Sequence, residues 1–380
     1  MTLLAALLLF IAVWIVIPAP NAWLLPLGVG APELSPILLA AAALVMLLSL
    51  RGKAVKKIAA IMALAAAALS CIPLTKMSAT TRAFDQKLAK AFPLGRPAES
   101  SDMRPSRWTT RDLLTGIQTE QPRVARNVVF ASPEGLQLVL DIHRPAADGK
   151  YPVLLQIHGG AWQRGSRSDD ETFARYFANR GYVVIAVEYR LAPRWTWPAQ
   201  LEDVRSALTW IRTNESTHGG DADRIAIVGR SAGGQLALVA AYSDKIPVRA
   251  VVSYYGPTDL AGGWNDPPKP DPMKVRGVLE AFLGGTPETS PIRYLEASPV
   301  SYVSGRVPAT LQIQGANDHI VRPRFARDLH QRLETAGARS VLLELPWSEH
   351  AFDAVPHGLA GQVSLYYTER FLAATLAPRR

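Results

Sequence analysis

The residues best suited to chemistry lie in Ile225-Ala-Ile-Val-Gly-Arg-Ser-Ala-Gly-Gly-Gln-Leu-Ala-Leu-Val-Ala-Ala241. An apolar, β-branched run ends at Gly229, Ser231 follows after one residue, and an alanine- and leucine-rich helical pattern begins at once. The stretch therefore reads as strand, turn and helix. Gly229 and Gly233 frame Ser231 in a Gly-x-Ser-x-Gly turn too tight for flanking Cβ atoms, which lifts the hydroxyl above the sheet edge as a nucleophile requires. The helix that starts there aims its first free N–H groups, that of Ala232 among them, at an oxyanion forming beside the serine. The frame alone is a weak signal; its placement between a buried-type strand and a helix is the context that gives it meaning.

A nucleophilic serine needs a base, and the base an orienting acid. Of the seven histidines, His350 in Trp347-Ser-Glu-His350-Ala-Phe is the one that both follows the last apolar strand run, Val341–Leu345, and comes after a candidate acid. That acid is Asp318 in Gln314-Gly-Ala-Asn-Asp318-His, at the end of the Ala309–Ile313 run, giving the chain order Ser, Asp, His. Asp259, in Gly256-Pro-Thr-Asp259, is the rival acid. His319 adjoins Asp318 and would point away from it, while His143, His218, His330 and His357 fall in loops or on helix faces where solvation is the default.

His158-Gly-Gly-Ala-Trp162 directly follows the Val153–Ile157 strand run. The amides of Gly159 and Gly160 can complete an oxyanion hole with that of Ala232, and His158 reads as a brace for this loop rather than a base. Trp162, Trp195, Trp197, Trp264 and Phe282 are placed to line an acyl pocket, with Trp162 and Trp264 taken as substrate contacts, although core packing is the commoner role of such residues.

These residues need a scaffold that brings distant loops to one edge. Asn127–Phe130 and Leu136–Ile142 alternate as a hairpin around Ser132-Pro-Glu-Gly135. Strand runs at 153–157, 182–187, 224–228, 248–254, 309–313 and 341–345 then alternate with helical patterns near 169–180, 199–212, 232–242, 324–336 and 358–373. That alternation predicts an α/β fold, a mainly parallel sheet with helices on both faces and ligands outside the carboxyl ends of its strands. Asp266-Pro-Pro-Lys-Pro-Asp-Pro272 and the helix to Phe282 form an insertion able to shape the pocket. Residues 125–380 are the expected catalytic domain, and 76–124 a linker with an amphipathic piece near Phe84 to Phe92, or a cap over the site.

Residues 1–75 differ in kind. Leu3–Ile17, Leu34–Leu50 and Ile58–Leu74 are apolar and uncharged, near the lower end of the roughly 17–25 residues that cross a bilayer. Three transmembrane helices are expected. A cleaved signal peptide is the alternative for the first run, disfavoured by the lack of a preceding cation and the poor cleavage site at Pro18-Ala-Pro-Asn; a buried hairpin is disfavoured because no polar face interrupts the runs. The loop Arg51-Gly-Lys-Ala-Val-Lys-Lys57 has four cations where the Pro18–Pro36 loop has none, which puts it in the cytoplasm and everything after Leu74 outside, a multi-pass cell-membrane protein with an extracytoplasmic catalytic domain.

The net charge of +9 comes without a basic run interleaved with aromatics, so nucleic acid is not an expected partner. Cys71 is the only cysteine, which excludes an internal disulfide and a thiol metal site. No ligand-spaced cluster implies a metal, and no cofactor is expected.

From about Val128 onward the chain resembles an α/β-hydrolase of the hormone-sensitive-lipase-like and carboxylesterase kind. The matching residues are His158 to Trp162, Tyr189-Arg-Leu-Ala-Pro193, Gly229 to Gly234, Ser298-Pro299, Gly315 to Val321 and His350-Ala-Phe352. The resemblance implies Ser231 as nucleophile, Asp318 as acid, His350 as base, and the Gly159, Gly160 and Ala232 amides for the oxyanion. Ala161 stands in place of a third glycine, Arg230 where lipase-like members have Asp, and Arg194 where they have Glu; these departures bear on the substrate rather than the mechanism. The expected activity is that of a membrane-anchored carboxylic-ester hydrolase working through an acyl-enzyme, on a small ester or an acylated envelope substrate. A membrane acyltransferase or deacylase on envelope glycans or lipids is the rival within the enzyme class, and a non-catalytic anchored binding module the rival outside it.

Overall fold

A computed structural model describes residues 1–50, 54–92, 103–243 and 246–377. Its centre is an eight-stranded sheet of β1 (Arg123–Ala131), β2 (Leu138–Arg144), β3 (Tyr151–Ile157), β4 (Val183–Val187), β5 (Gly220–Arg230), β6 (Ala250–Tyr254), β7 (Ala309–Gly315) and β8 (Ser340–Leu345). The spatial order is β1-β2-β4-β3-β5-β6-β7-β8. β2 runs antiparallel to both β1 and β4, and the remaining pairs are parallel.

Parallel strands covered on both faces are mostly apolar along their length, and β4, β6 and β7 are buried throughout, β4 with apolar residues alone. Alternate side chains go to opposite faces. Val153, Leu155 and Ile157 pack with helices α7 (Ala199–Asn214), α8 (Ala232–Ser243) and α12 (Pro323–Thr335), whereas Leu154 packs with α6 (Glu171–Ala178) and α13 (Leu359–Leu376). Between β6 and β7 lie α9 (Leu260–Asn265), α10 (Val275–Leu283) and α11 (Pro291–Glu296), the expected insertion.

The apolar N-terminal region forms α1 (Thr2–Ala12), α2 (Leu25–Glu33), α3 (Ser35–Ser49) and α4 (Ala54–Ala91). Here the expectation of three transmembrane helices is corrected. Lys56–Ala91 is the one described helix long and apolar enough to cross a bilayer, or one of two if α2 and α3, bent by 79° at their junction, count as a broken span. α1 with its final turn covers Thr2–Ile15, and α3 has 15 residues. At 1.5 Å per residue each reaches only about 20 Å, short of the roughly 30 Å hydrocarbon layer. Proline explains the breaks, with Pro18 and Pro20 after the first run and Pro36 at the start of α3. A multi-pass placement is therefore not supported. Arg51 to Lys53, on which the orientation argument partly rested, lie outside the described residues.

α4 also crosses the boundary expected at residue 75. Its second half docks on the sheet: Phe84 meets the Tyr367 ring edge-on at 5.3 Å, and Lys87 Nζ donates to the Leu342 carbonyl at 2.9 Å. Residues beyond it, including α5 (Thr110–Thr115), lie along α13, where the Arg104 amide donates to Glu369 at 3.0 Å and its guanidinium to Gln362 at 2.7 Å. The described part of 76–124 thus packs on α13 and β8, and none of its residues lines the cavity described next.

Candidate active site

Ser231 stands between the last residue of β5 and the first of α8, with φ of 51°. A non-glycine residue in the left-handed region is uncommon and is held there by its surroundings. Two glycines make the turn possible: a Cβ on Gly229 would overlap the Gly233 carbonyl, and one on Gly233 would overlap the Ile157 carbonyl. The Ser231 amide donates to the Tyr254 carbonyl at 2.9 Å, tying the turn to β6.

His350 reaches this hydroxyl from the loop after β8, its Nε2 lying 2.9 Å from Ser231 Oγ. On its other side Nδ1 lies 2.8 Å from Asp318 Oδ2. Asp318 follows β7 and is fixed in turn, accepting from the Ile320 and Val321 amides at 2.8 and 2.7 Å and from Gln314 Nε2 at 2.7 Å. With the Asp318 side chain wholly buried and that of His350 at 6% exposure, the charges interact through little water. Burial alone would lower the His350 pKa, but the charge and hydrogen bond of Asp318, with Glu349 and Asp353 behind it, raise it above the ordinary histidine value. The rival acid, Asp259, is occupied otherwise: it caps α9, accepting from the Gly262 amide at 2.8 Å.

The loop after β3 faces the nucleophile. Gly159 lies so near that a Cβ there would stand 3.4 Å from Ser231 Cβ, and Gly160 has φ of 110° with the Arg164 carbonyl packed where a side chain would go. Ala232 opens α8 directly after the serine. Ala161 and Trp162 adopt φ of 55° and 57°, so the alanine that replaces a third glycine keeps a glycine-like backbone. His158 contacts the Gly159 carbonyl at 2.7 Å and stacks on Tyr189 at 4.3 Å, the bracing role read from the sequence.

Ser231, His350, Gly159 and Gly160 open on a cavity of about 490 Å³ whose wall is mostly apolar, with Leu260, Val278 and Leu279 from the insertion and Phe325 from α12. Trp162 lines it while donating to Gln235 at 3.0 Å and stacking on Phe282 at 4.0 Å. Trp264 is a correction: it packs edge-on against Tyr294 at 6.1 Å and is absent from the described lining, as are Trp195, Trp197 and Phe282. The last two are core residues. A larger depression of about 1020 Å³ lies at the amino ends of β5 to β7, far from Ser231, and has no histidine or cysteine in its wall. Among the described residues no group of three or more His, Cys, Asp or Glu is arranged to hold a metal ion.

Several contacts around the site were not anticipated from the sequence. Leu25 of α2 lines the cavity. Glu349 accepts from the amides of His319 and His350, at 2.6 and 2.8 Å, and from the His319 ring, joining the acid and base loops. Arg230 donates to Asp353 at 2.6 Å, and Tyr255, whose ring lies 4.5 Å from that of His350, donates to the same carboxylate. The adjacency of Arg230 to Ser231 and of Asp353 to His350 was the available signal, but the pairing crosses more than a hundred residues.

Residues 140–333 match the family described as BD-FAE. The chain belongs to that family. The BD-FAE match includes Gly159, Gly160, Ser231 and Asp318 and ends before His350. Among curated proteins, the chain is similar to the probable carboxylic ester hydrolase LipM of Mycobacterium tuberculosis, 36% identical over 256 residues, covering 63% of this chain and 58% of LipM. It is also similar to esterase LipQ of the same organism, 34% identical over 238 residues, covering 58% of this chain and 56% of LipQ. The chain thus spans under two thirds of either relative's length. Among solved structures, the carboxylesterase EstE1 from a metagenomic library superimposes with a TM-score of 0.61 at 22% identity, over 79% of this chain and 98% of that one. Esterase LipW of Mycobacterium marinum does so with a TM-score of 0.58 at 24% identity, over 80% and 90%. The BD-FAE chain therefore has the α/β-hydrolase fold.

Proposed function

We propose that the chain is a membrane-anchored serine hydrolase of carboxylic esters. The observation that carries the reading is the continuous contact from Ser231 Oγ to His350 Nε2 at 2.9 Å and from His350 Nδ1 to Asp318 at 2.8 Å, beneath an apolar cavity. The likeness to curated esterases supports the substrate class. Ser231 Oγ attacks the ester carbonyl carbon while His350 Nε2 takes its proton, and Asp318 stabilises the imidazolium. The carbonyl oxygen becomes an oxyanion facing the amides of Gly159, Gly160 and Ala232. Its collapse breaks the bond to the alcohol oxygen, which leaves with the proton from His350. Water, deprotonated by His350, then attacks the acyl carbon and the reverse proton transfer frees Ser231. Trp162 borders the substrate. The second half of α4 fixes this domain to the first, and α4 is the anchor, with the domain on the extracytoplasmic side, opposite Lys56 and Lys57 at its start.

A fluorophosphonate probe should label the wild-type protein at Ser231 and block hydrolysis of a short-chain aryl ester, and Ser231→Ala should lose both. Hydrolysis retained by Ser231→Ala would end the assignment. Product analysis with an added acceptor alcohol distinguishes hydrolysis, which yields free acid, from transfer.

A further inference from the structure

The apolar N-terminal region does more than tether. α1 and α3 pack along the first half of α4 around Ala5, Ala12, Ala42, Ala59 and Ala63, small residues that let the helices approach closely. Most large apolar side chains exposed among the described residues lie in this bundle or its loops, including Leu3, Leu7, Phe10, Leu47, Ile61 and, at 92% exposure, Trp23. Such a surface, on a helix long enough to cross hydrocarbon and with the exposed cations Lys56 and Lys57 at its start, fits a lipid bilayer and its headgroups.

Chain direction then fixes which end of the bundle meets the catalytic domain. α4 starts at the cations and ends on β8, so the catalytic domain sits at the opposite end from Lys56. α2 lies at that same end, connecting α1 to α3, and packs against α13 and the Phe352–Ala354 turn that follows His350. Glu33, fully buried, clamps it there: its carboxylate accepts from Ser348 Oγ at 3.1 Å and from the Ala360 and Gly361 amides at 2.6 and 3.4 Å. Leu25, at the other end of α2, forms part of the cavity wall, with Trp23 two residues away in the solvent-facing loop. One short helix thus borders both the apolar bundle and the space above Ser231.

Resting on the hydrolase reading, we propose that the cavity is filled from the bilayer, and that its substrates are acyl esters of membrane-resident amphiphiles whose chains pass Trp23 and Leu25 to reach Ser231. A chain that moved through water would lose its hydrocarbon surroundings before regaining them in the cavity; a path bordered by Leu25, Leu260, Val278, Leu279 and Phe325 keeps it in apolar contact throughout.

The test uses the full chain reconstituted in phosphatidylcholine vesicles. Hydrolysis of a vesicle-embedded oleoyl glycerol is compared with that of a water-soluble p-nitrophenyl acetate, each rate divided by the number of sites titrated with a fluorophosphonate, so that misfolded protein drops out. The ratio of the two rates should fall about tenfold or more in Leu25→Asp, because a carboxylate then lies on the path, and severalfold in Trp23→Asp. A ratio unchanged in both variants, or a wild type that cleaves the soluble ester but not the embedded one, overturns the proposal while leaving the hydrolase reading standing. A wild type that cleaves neither and takes no label removes both.

Discussion

Two apolar regions of this chain meet opposite fates. Strand β4 is as apolar as the first helices, yet it is enclosed, like β6 and β7, between helical layers of the same chain. In α1, α3 and the start of α4, by contrast, the apolar side chains turned inward are mostly small and many of the large ones face outward. The sheet completes its own core; the N-terminal bundle leaves many of its large apolar side chains uncovered. The two regions are nevertheless joined at defined points, Leu25 in the cavity wall and Glu33 under the loop that carries His350. An N-terminal region packed independently of the catalytic domain would make no such contacts, and this one makes two.

The largest effects should come from the sheet side alone. Ser231→Ala should lower turnover of a soluble ester by about 10⁴-fold or more, and Asp318→Asn by a comparable factor, whether or not the bundle sits in lipid. Asp318→Asn also carries a pH signature. The base works as neutral imidazole, so kcat/KM falls as pH drops through the His350 pKa, which lies above the ordinary value of about 6.5 because of Asp318. Removing that charge should move the acid limb of the profile to lower pH; a limb that stays in place would mean that Asp318 does not set it.

Next is the oxyanion loop. Gly160→Ala adds a Cβ against the Arg164 carbonyl at a φ of 110°, so the loop must shift, and kcat should fall by roughly 10²-fold with little change in melting temperature. Equal losses in both would turn Gly160 into a folding residue.

The joint between regions comes third. Glu33→Ala leaves the Ser348 hydroxyl and two α13 amides without their acceptor, which should cost about 1–3 kcal/mol in unfolding of the catalytic domain in detergent and lower kcat through the displaced His350 loop. Glu33→Gln, which retains one acceptor oxygen, should recover much of both. If Glu33→Ala melts and turns over like wild type, the bundle is a tether after all. The smallest effect belongs to the exposed rim, where breaking the Arg123 and Asp148 pair by Arg123→Ala should change stability by at most about 0.5 kcal/mol.

The same contrast decides what could be read in advance. Strand and helix patterns after residue 123 were legible because burial on two faces demands runs such as Val183–Val187, and the convergence of Ser231, Asp318 and His350 at one sheet edge was legible because each follows the carboxyl end of such a run. In the N-terminal region, composition marked three apolar runs but said nothing of where they stop; two of them end after 14 or 15 residues. Composition also could not reveal that α4 continues past Leu74 to dock on the sheet, since its amphipathic second half resembles any surface helix. Trp264 was chosen by residue type and proximity to the insertion, and its ring packs on Tyr294 instead. Leu25 and Glu33 left no local signal, because their partners lie more than a hundred residues downstream and only the packed structure brings them together.

The most direct test of the account is mass analysis of the protein quenched in acid during turnover of a p-nitrophenyl ester. The account requires a mass increase of one acyl group, located by proteolysis to the peptide containing Ser231, and its absence in Ser231→Ala. An acyl group carried by a different residue, or continuing hydrolysis by Ser231→Ala at the wild-type rate, would contradict it.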